Sequence, residues 1–175
     1  MEASIEIKKA LENTLPEKKP LKKLLVICSK GTLEDVYAAL IMANGALMEG
    51  IEASMFFTFF GLDAINKKKQ DHLHTATVGN PALMRHLPTV IGGLPGFEAL
   101  ASNMMKKEME KLDIPPVSEF LDMFMAGGGK LYGCQLAVEM FKLNEEDFVD
   151  DLEGIITVGD MFELAEGENT QIVFV

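Results

Sequence analysis

Short apolar runs alternate with amphipathic stretches along most of this chain. Five runs lack polar alternation, as expected of strands covered on both faces in a parallel sheet, and they fall at 22–28, 52–59, 130–134, 154–158 and 171–175. Helical spacing of apolar residues follows them at 33–48, 97–111, 118–126, 135–141 and 160–165. The alternation predicts an α/β fold, namely a three-layer α/β/α sandwich around a parallel five-stranded sheet.

The ends of this pattern suggest how the chain is divided. Residues 1–20 form a short amphipathic stretch that stops at Pro16 and Pro20, which predicts an N-terminal arm. Residues 21–175 show no internal repeat and are predicted to form a single domain. Glycines and prolines are frequent from Asn66 to Gly96, which predicts a loop that crosses one edge of the sheet.

Charge and composition exclude several functions. The 175 residues carry a net charge of −11 and Arg85 is the sole arginine, so a nucleic-acid surface is not expected. Acidic residues concentrate between Glu139 and Glu168, where Lys142 is the one intervening cation. This segment predicts a solvated acidic face, which could also dock a basic carrier protein.

Cysteine usage and hydropathy indicate the compartment. Two cysteines in a chain of this length are not a disulfide framework, so a reducing, cytoplasmic location is expected. The first 23 residues lack the apolar core of a secretory signal. The longest strongly apolar stretch, Met55 to Leu62, is too short to cross a bilayer, so no membrane association is predicted.

Cys134 is the strongest candidate for chemistry. It lies where a short strand pattern changes to a helical one, beside the unpaired N–H groups and the positive end of the predicted helix. These features favour the thiolate, and Gly133 would let a partner approach closely. The alternative interpretation is a small buried hydrophobe. Cys28 also ends a predicted strand, and packing is its expected role. The alternatives are an accessory thiol or, if the two strands are neighbours, a redox partner of Cys134.

Two other groups of residues could bind ligands. Ser29, Lys30, Gly31 and Thr32 follow the first strand and could hold an anion at a helix N-terminus, or they could form an ordinary capped turn. The three histidines, His72, His74 and His86, fall in one span and could ligate a metal or assist Cys134, or they could be polar loop residues. No full P-loop, dinucleotide fingerprint, Gly-x-Ser-x-Gly elbow or Cys-x-x-Cys is present, and no cofactor is predicted.

Several segments, taken in order, resemble the DsrE/DsrF/DsrH-like family of sulfur-relay proteins, in its longer DsrE-like branch. The matching pieces are Ser29 to Glu34 with Ala38-Ala39, Met55 to Leu62, Leu94 to Ala101, Met104 to Lys107 and Lys130 to Ala137. The resemblance implies a three-layer α/β/α fold, assembly into homo-oligomers and a cysteine that carries sulfane sulfur as a persulfide. The family's cysteine, in a Leu-x-x-Cys-x-x-(Ala/Ser) context, corresponds to Cys134.

The sequence therefore predicts a cytoplasmic sulfur-relay protein that carries sulfur on Cys134, as a persulfide or thiosulfonate, between thiol partners. Partners of the TusA-like or rhodanese-like kind follow from the resemblance alone. An enzyme, such as a sulfurtransferase, and a stoichiometric carrier need the same nucleophile, so both remain open. The alternatives are a metal- or anion-binding module that uses His72, His74 and His86, and a thiol-disulfide protein that uses Cys28 with Cys134.

Overall fold

The structure is a computed structural model that describes residues 20–76 and 97–175. Its strands are β1 (Lys23–Cys28), β2 (Glu52–Phe57), β3 (Lys130–Cys134), β4 (Gly154–Ile156) and β5 (Thr170–Phe174). Its α-helices are α1 (Leu33–Met48), α2 (Phe97–Lys111), α3 (Val117–Ala126), α4 (Gln135–Phe141) and α5 (Val158–Leu164), with 3₁₀ segments at Phe59–Ile65, Gln70–His72 and Glu145–Asp147. All five predicted strands are confirmed. The predicted N-terminal arm, apart from Pro20, lies outside the described residues, and so does His86.

The five strands form one parallel sheet in the order β4-β3-β2-β1-β5. The connections from β1 to β2, from β2 to β3 and from β3 to β4 each move one strand further in the same direction across the sheet. The last connection runs from β4 back past β1 and places β5 at the opposite edge. Right-handed crossovers therefore put α1, α3 and α4 on one face and α5 on the other. This arrangement confirms the three-layer α/β/α sandwich.

Individual contacts agree with this assignment of the helices to the two faces. A Cβ placed on Gly133 would lie 3.9 Å from Val138 of α4, so that side of β3 faces α4. On the other side, the Lys23 ammonium donates a hydrogen bond to the Leu164 carbonyl in α5, at 3.2 Å. We call the first side the α4 face and the second the α5 face.

The two faces of the sheet are covered unequally. On the α4 face, the side chains of Val26, Met55 and Leu131 are completely buried. Among the described residues one helix, of seven residues, lies on the α5 face; its central residues Leu25 and Phe56 are buried, whereas Ile172 and Phe174 of the edge strand β5 are 42% and 69% exposed. No helix of the described residues is both long and apolar enough to span a membrane.

Candidate functional site

Cys134 ends β3 and is at the same time the N-cap residue of α4, with φ −75° and ψ 117°. No turn separates the strand from the helix. The neighbouring strand β4 also runs almost directly into a helix, where Thr157 and Asp160 form a reciprocal capping box. The Cys134 side chain makes no capping hydrogen bond. The chain therefore places a thiol at a position that helices usually fill with Ser, Thr, Asp or Asn.

The sulfur of Cys134 is less accessible than the sequence suggests. The residue is only 4% exposed, so the expectation of an exposed thiol is wrong for the described structure. The physical reason is its register: Cys134 pairs with Ile156 on the α5 face of the sheet, where neighbouring side chains cover it. The next residues along the chain are exposed, with Leu136 at 68%.

The helix that follows Cys134 is held weakly to the rest of the domain. Of its seven residues, only Ala137 and Val138 are buried. Segments that bury few apolar groups open locally at low free-energy cost. Because Cys134 is the N-cap residue of α4, displacement of the first turn would also move Cys134 out of its packed position on the α5 face, and this gives a partner thiol a route to the sulfur.

Gly133 does not provide the open approach that its sequence position suggests. It is buried, and a Cβ placed on it would lie in ordinary contact with Ile155, Leu62 and Val138, at 3.7–3.9 Å. The backbone at this residue is covered on the α4 face, on the opposite side of the sheet from the Cys134 side chain. A partner therefore has no free path to the sulfur across Gly133.

Cys28 is a packed thiol. It is completely buried, its Sγ donates a weak hydrogen bond to the Lys30 carbonyl at 3.5 Å, and burial raises its pKa to about 12. Because a neutral thiol is a poor nucleophile, these features support the packing role expected of this residue.

The two cysteines are not placed to form a disulfide. Strand β2 lies between β1 and β3, so the two Cα atoms are two strand spacings apart, or about 10 Å. Disulfides require less than about 7 Å. The register also pairs Cys28 with Phe57 and Phe57 with Gly133, which points Cys28 and Cys134 to opposite faces. The condition for an internal redox pair is not met.

The loop from Ser29 to Thr32 is occupied by contacts within the chain. The Ser29 hydroxyl donates to the Val175 carbonyl at 3.0 Å, and the Thr32 hydroxyl donates to the Asp35 carboxylate, which also pairs with the Lys30 ammonium at 3.2 Å. A Cβ on Gly31 would lie 2.4 Å from the Phe60 carbonyl oxygen. These contacts engage the loop within the chain and argue against the anion site, although Thr32, the N-cap residue of α1, makes no side-chain capping hydrogen bond.

His72 and His74 line a cavity of about 570 Å³ next to that loop, and Cys134 does not line it. Both histidines are exposed. The three lysines along this cavity are each paired with a carboxylate: Lys30 with Asp35, Lys69 with Asp63 and Lys68 with Asp147, at 3.2, 2.7 and 3.9 Å. Within residues 20–76 and 97–175 no three His, Cys, Asp or Glu side chains are placed to hold a metal ion.

An exposed apolar surface that was not predicted from the sequence lies beside Cys134, and we call it the α4 patch. It consists of Phe59, Phe60, Leu136, Met140 and Phe141, which are 49%, 65%, 68%, 51% and 38% exposed. The Phe60 and Phe141 rings are in contact, with centroids 5.7 Å apart. The signal in the sequence was the i, i+4 pair of Leu136 and Met140, on a different side of the helix from the buried Ala137 and Val138.

A second exposed apolar surface, which we call the α5 patch, comprises helix α5 and strand β5. Its members are Val158, Phe162, Ile172 and Phe174, which are 48%, 58%, 42% and 69% exposed. Val158 and Phe162 lie one turn apart on α5, and Ile172 and Phe174 lie on one face of β5; grouped exposed apolar side chains of this kind often mark a contact with another molecule.

The sheet order and the cysteine at the strand–helix junction define a class, the three-layer α/β/α proteins with a thiol at the carboxyl edge of a parallel sheet. Comparison with known proteins narrows this class. The profile of the DsrE/DsrF/DrsH-like family matches residues 20–173. The chain belongs to that family.

Individual relatives and a solved structure agree with this assignment. The chain is 30% identical over 138 residues to a protein named sulfur carrier protein DsrE2 from Allochromatium vinosum, an alignment that covers 75% of this chain and 86% of the relative. It is 23% identical over 135 residues to the uncharacterized protein YrkE from Bacillus subtilis, which covers 75% and 84%. The crystal structure of the YchN protein from E. coli superposes with a TM-score of 0.52 at 8% identity, covering 89% of this chain and all of the other, which supports the fold.

Proposed function

We propose that this protein carries sulfane sulfur on Cys134, as a persulfide or thiosulfonate, and passes it between thiol partners in a cytoplasmic sulfur relay. Membership of the DsrE/DsrF/DrsH-like family and the relative named as a sulfur carrier support a role of this general kind. The observation that carries the specific assignment is the thiol at the N-cap of α4, where the chain forgoes a capping hydrogen bond.

The proposed chemistry is two consecutive exchanges at sulfur. The Cys134 thiolate attacks the outer sulfur of a donor persulfide; a new S–S bond forms to Cys134, the donor's S–S bond breaks, and the donor leaves as a thiolate. An acceptor thiolate then attacks the outer sulfur on Cys134, takes it, and regenerates the Cys134 thiolate. Neither step needs an oxidant or reductant, because each exchanges one thiolate and one persulfide for another pair.

Two further expectations belong to this proposal. Donors and acceptors of the TusA-like or rhodanese-like kind would supply and remove the sulfur. Assembly into a homo-oligomer would cover the α5 patch, because that surface exposes four large apolar side chains on the thinly covered face of the sheet.

The test uses intact mass. Protein incubated with thiosulfate, tetrathionate or a persulfide donor should gain the mass of a sulfur adduct that reductant removes. Cys134→Ser should lose the adduct, while Cys28→Ser should retain it because Cys28 is completely buried. An adduct that survives in Cys134→Ser, or a wild-type protein that never acquires one, would contradict the proposal.

The alternatives give different masses in the same experiment. A loss of two hydrogens that needs both cysteines would indicate a thiol-disulfide protein. Absence of any adduct together with stoichiometric bound metal would indicate a binding module. We expect neither, because the cysteines lie on different faces and the described residues group no metal ligands.

A further inference from the structure

The α4 patch lies at the same edge of the sheet as Cys134. Leu136 and Met140 are exposed on α4, which begins at the residue after Cys134, and α4 packs against the 3₁₀ segment that carries Phe59 and Phe60. The contact between the Phe60 and Phe141 rings joins the two elements into one surface. Large exposed apolar side chains that are contiguous, rather than scattered, indicate a site of interaction with another protein.

The chain within and directly after α4 is acidic, and it runs next to the end of the 3₁₀ segment that carries Phe59 and Phe60, since the Val149 N–H donates to the Ile65 carbonyl at 3.0 Å. Between residues 135 and 153 the chain has seven carboxylates, at Glu139, Glu145, Glu146, Asp147, Asp150, Asp151 and Glu153, and one cation, Lys142. Lysines neutralise two of them: Lys68 pairs with Asp147, and Lys67 pairs with Asp150. In the described residues, no lysine or arginine pairs with Glu139, Glu145, Glu146 or Asp151.

This negative charge favours one kind of binding partner for the α4 patch over another. A second copy of the chain would bring the same carboxylates against each other, in a protein whose net charge is already −11. A protein with basic residues around an apolar centre would instead meet complementary charge, and the attraction would speed its association.

We propose that the α4 patch docks a basic protein that presents an exposed cysteine, and that docking brings the partner's thiol to Cys134. The inference rests on the proposed function, since it names the kind of partner that exchanges sulfur there. Contact with Leu136 and Met140 also supplies a means of access, because a partner that binds these side chains can displace the weakly held first turn of α4 and, with it, its N-cap residue Cys134.

Two synthetic peptides test the charge selection. Each contains one cysteine between leucines; lysines flank the leucines in one peptide and glutamates in the other. We expect sulfur transfer from loaded Cys134 to the lysine peptide to be at least about tenfold faster at low salt, and the difference to shrink at high salt. Equal rates would overturn the proposal.

Charge-reversal variants locate the effect on the protein. Glu139→Lys/Glu146→Lys should abolish the preference for the lysine peptide. Glu163→Lys/Glu166→Lys is the matched control: it changes the net charge equally, but one of its two exposed residues lies in α5 and the other just beyond that helix. A control that removes the preference as completely as the first pair would show that net charge, and not the α4 patch, is recognised.

Apolar contact is tested in the same way. Leu136→Ser should slow transfer to the lysine peptide several-fold relative to transfer to a small neutral thiol, with both rates measured on the same variant. Met48→Ser removes a side chain that is 87% exposed at the far end of α1, and should change neither rate. Equal effects of the two substitutions would contradict an apolar docking surface at α4.

A binding measurement separates this proposal from the proposed function. Peptides in which serine replaces cysteine are labelled with a fluorophore and added to the Cys134→Ser variant. Their fluorescence anisotropy measures binding without any sulfur chemistry. Tighter binding of the lysine peptide, weakened by Glu139→Lys/Glu146→Lys, would support docking even if Cys134 carried no sulfur. Equal binding of both peptides would overturn docking even if the sulfur adduct forms.

Discussion

At the scale of single residues, the difference between Cys134 and Thr157 is the most informative. Both residues cap helices that begin at the carboxyl ends of adjacent strands, β3 and β4. Thr157 accepts a hydrogen bond from the Asp160 N–H, at 3.2 Å, and Cys134 makes no such contact. Because cysteine is a poor cap, α4 begins without the stabilising contact that α5 has; the N-cap residue of α1, Thr32, likewise makes no side-chain capping hydrogen bond.

Placing a hydroxyl at position 134 and a thiol at position 157 should have opposite effects on the free energy of unfolding. We expect Cys134→Ser to raise the free energy of unfolding by about 0.5 to 1 kcal/mol, because a serine hydroxyl can accept from the first N–H groups of α4. Thr157→Cys should lower it by about 1 kcal/mol. Urea denaturation measures both, and a clear loss of stability in Cys134→Ser would show that the thiol is needed for packing.

Cys28 makes stability depend on alkaline pH. Burial raises its pKa from about 9 to about 12, so the folded state favours the protonated thiol. This contribution to stability is fully present below about pH 9 and is lost as the pH rises towards 12, at up to about 1.4 kcal/mol per pH unit. Tyr37, whose pKa burial also raises to about 12, acts with the same sign.

The two contributions are separated by substitution. Cys28→Ala should be less stable than wild type at pH 7 by about 1 to 3 kcal/mol, because a buried side chain is lost. Its stability should then fall less steeply between pH 9 and about pH 11. Urea denaturation at several pH values measures the slopes, and parallel slopes would show that the Cys28 thiol is not protected in the folded state.

At the scale of the elements, α4 combines low burial with a position next to Cys134. Only Ala137 and Val138 anchor it, so a substitution that weakens the helix should expose the sulfur. Glu139→Gly removes a helix-favouring residue at an exposed position and should cost about 1 kcal/mol. We expect iodoacetamide to label Cys134 about fivefold faster in this variant, because labelling follows the population of the open state.

A glycine at an exposed position of α5 provides the matched control. Glu163→Gly should leave the labelling rate of Cys134 close to that of wild type. Mass spectrometry of the labelled protein gives both rates. Faster labelling in Glu163→Gly than in Glu139→Gly would place the route to the sulfur under α5 instead.

The elements themselves were largely predictable from sequence, but their relationships were not. Unalternated apolar runs identified all five strands, because strands covered on both faces select apolar residues at consecutive positions. Sequence does not give strand order, so it could not show that β2 separates Cys28 from Cys134. The same limit explains the burial of Cys134: it depends on register with Ile156, which is a tertiary property. Ile41 and Met48 belong to the apolar positions of α1 and are nevertheless 54% and 87% exposed.

At the scale of the whole molecule, the two faces of the sheet differ in the number of described helices that cover them. In the part of the chain that the structure describes, three helices cover the α4 face and one covers the α5 face. The homo-oligomer contact that we propose would use the α5 patch, and the basic partner that we propose would use the α4 patch.

Self-association through the α5 patch can be tested by one substitution. Phe174→Ser replaces an edge-strand side chain that is 69% exposed, so it should leave the fold intact and shift the protein towards monomer by at least about tenfold in dissociation constant. Analytical ultracentrifugation measures the shift. Met48→Ser, at an exposed residue of α1, serves as the control, and an assembly unaffected by Phe174→Ser would mean that copies do not meet through this surface.

The strand order has a consequence for the lifetime of bound sulfur. A persulfide is commonly discharged when a nearby thiol of the same protein attacks it, forming a disulfide and releasing hydrogen sulfide. Here the second thiol of the chain is sealed behind an intervening strand, so that discharge has no internal reagent. Sulfur bound to Cys134 as proposed would therefore stay there until the thiol of another molecule removes it, as a sulfur carrier requires.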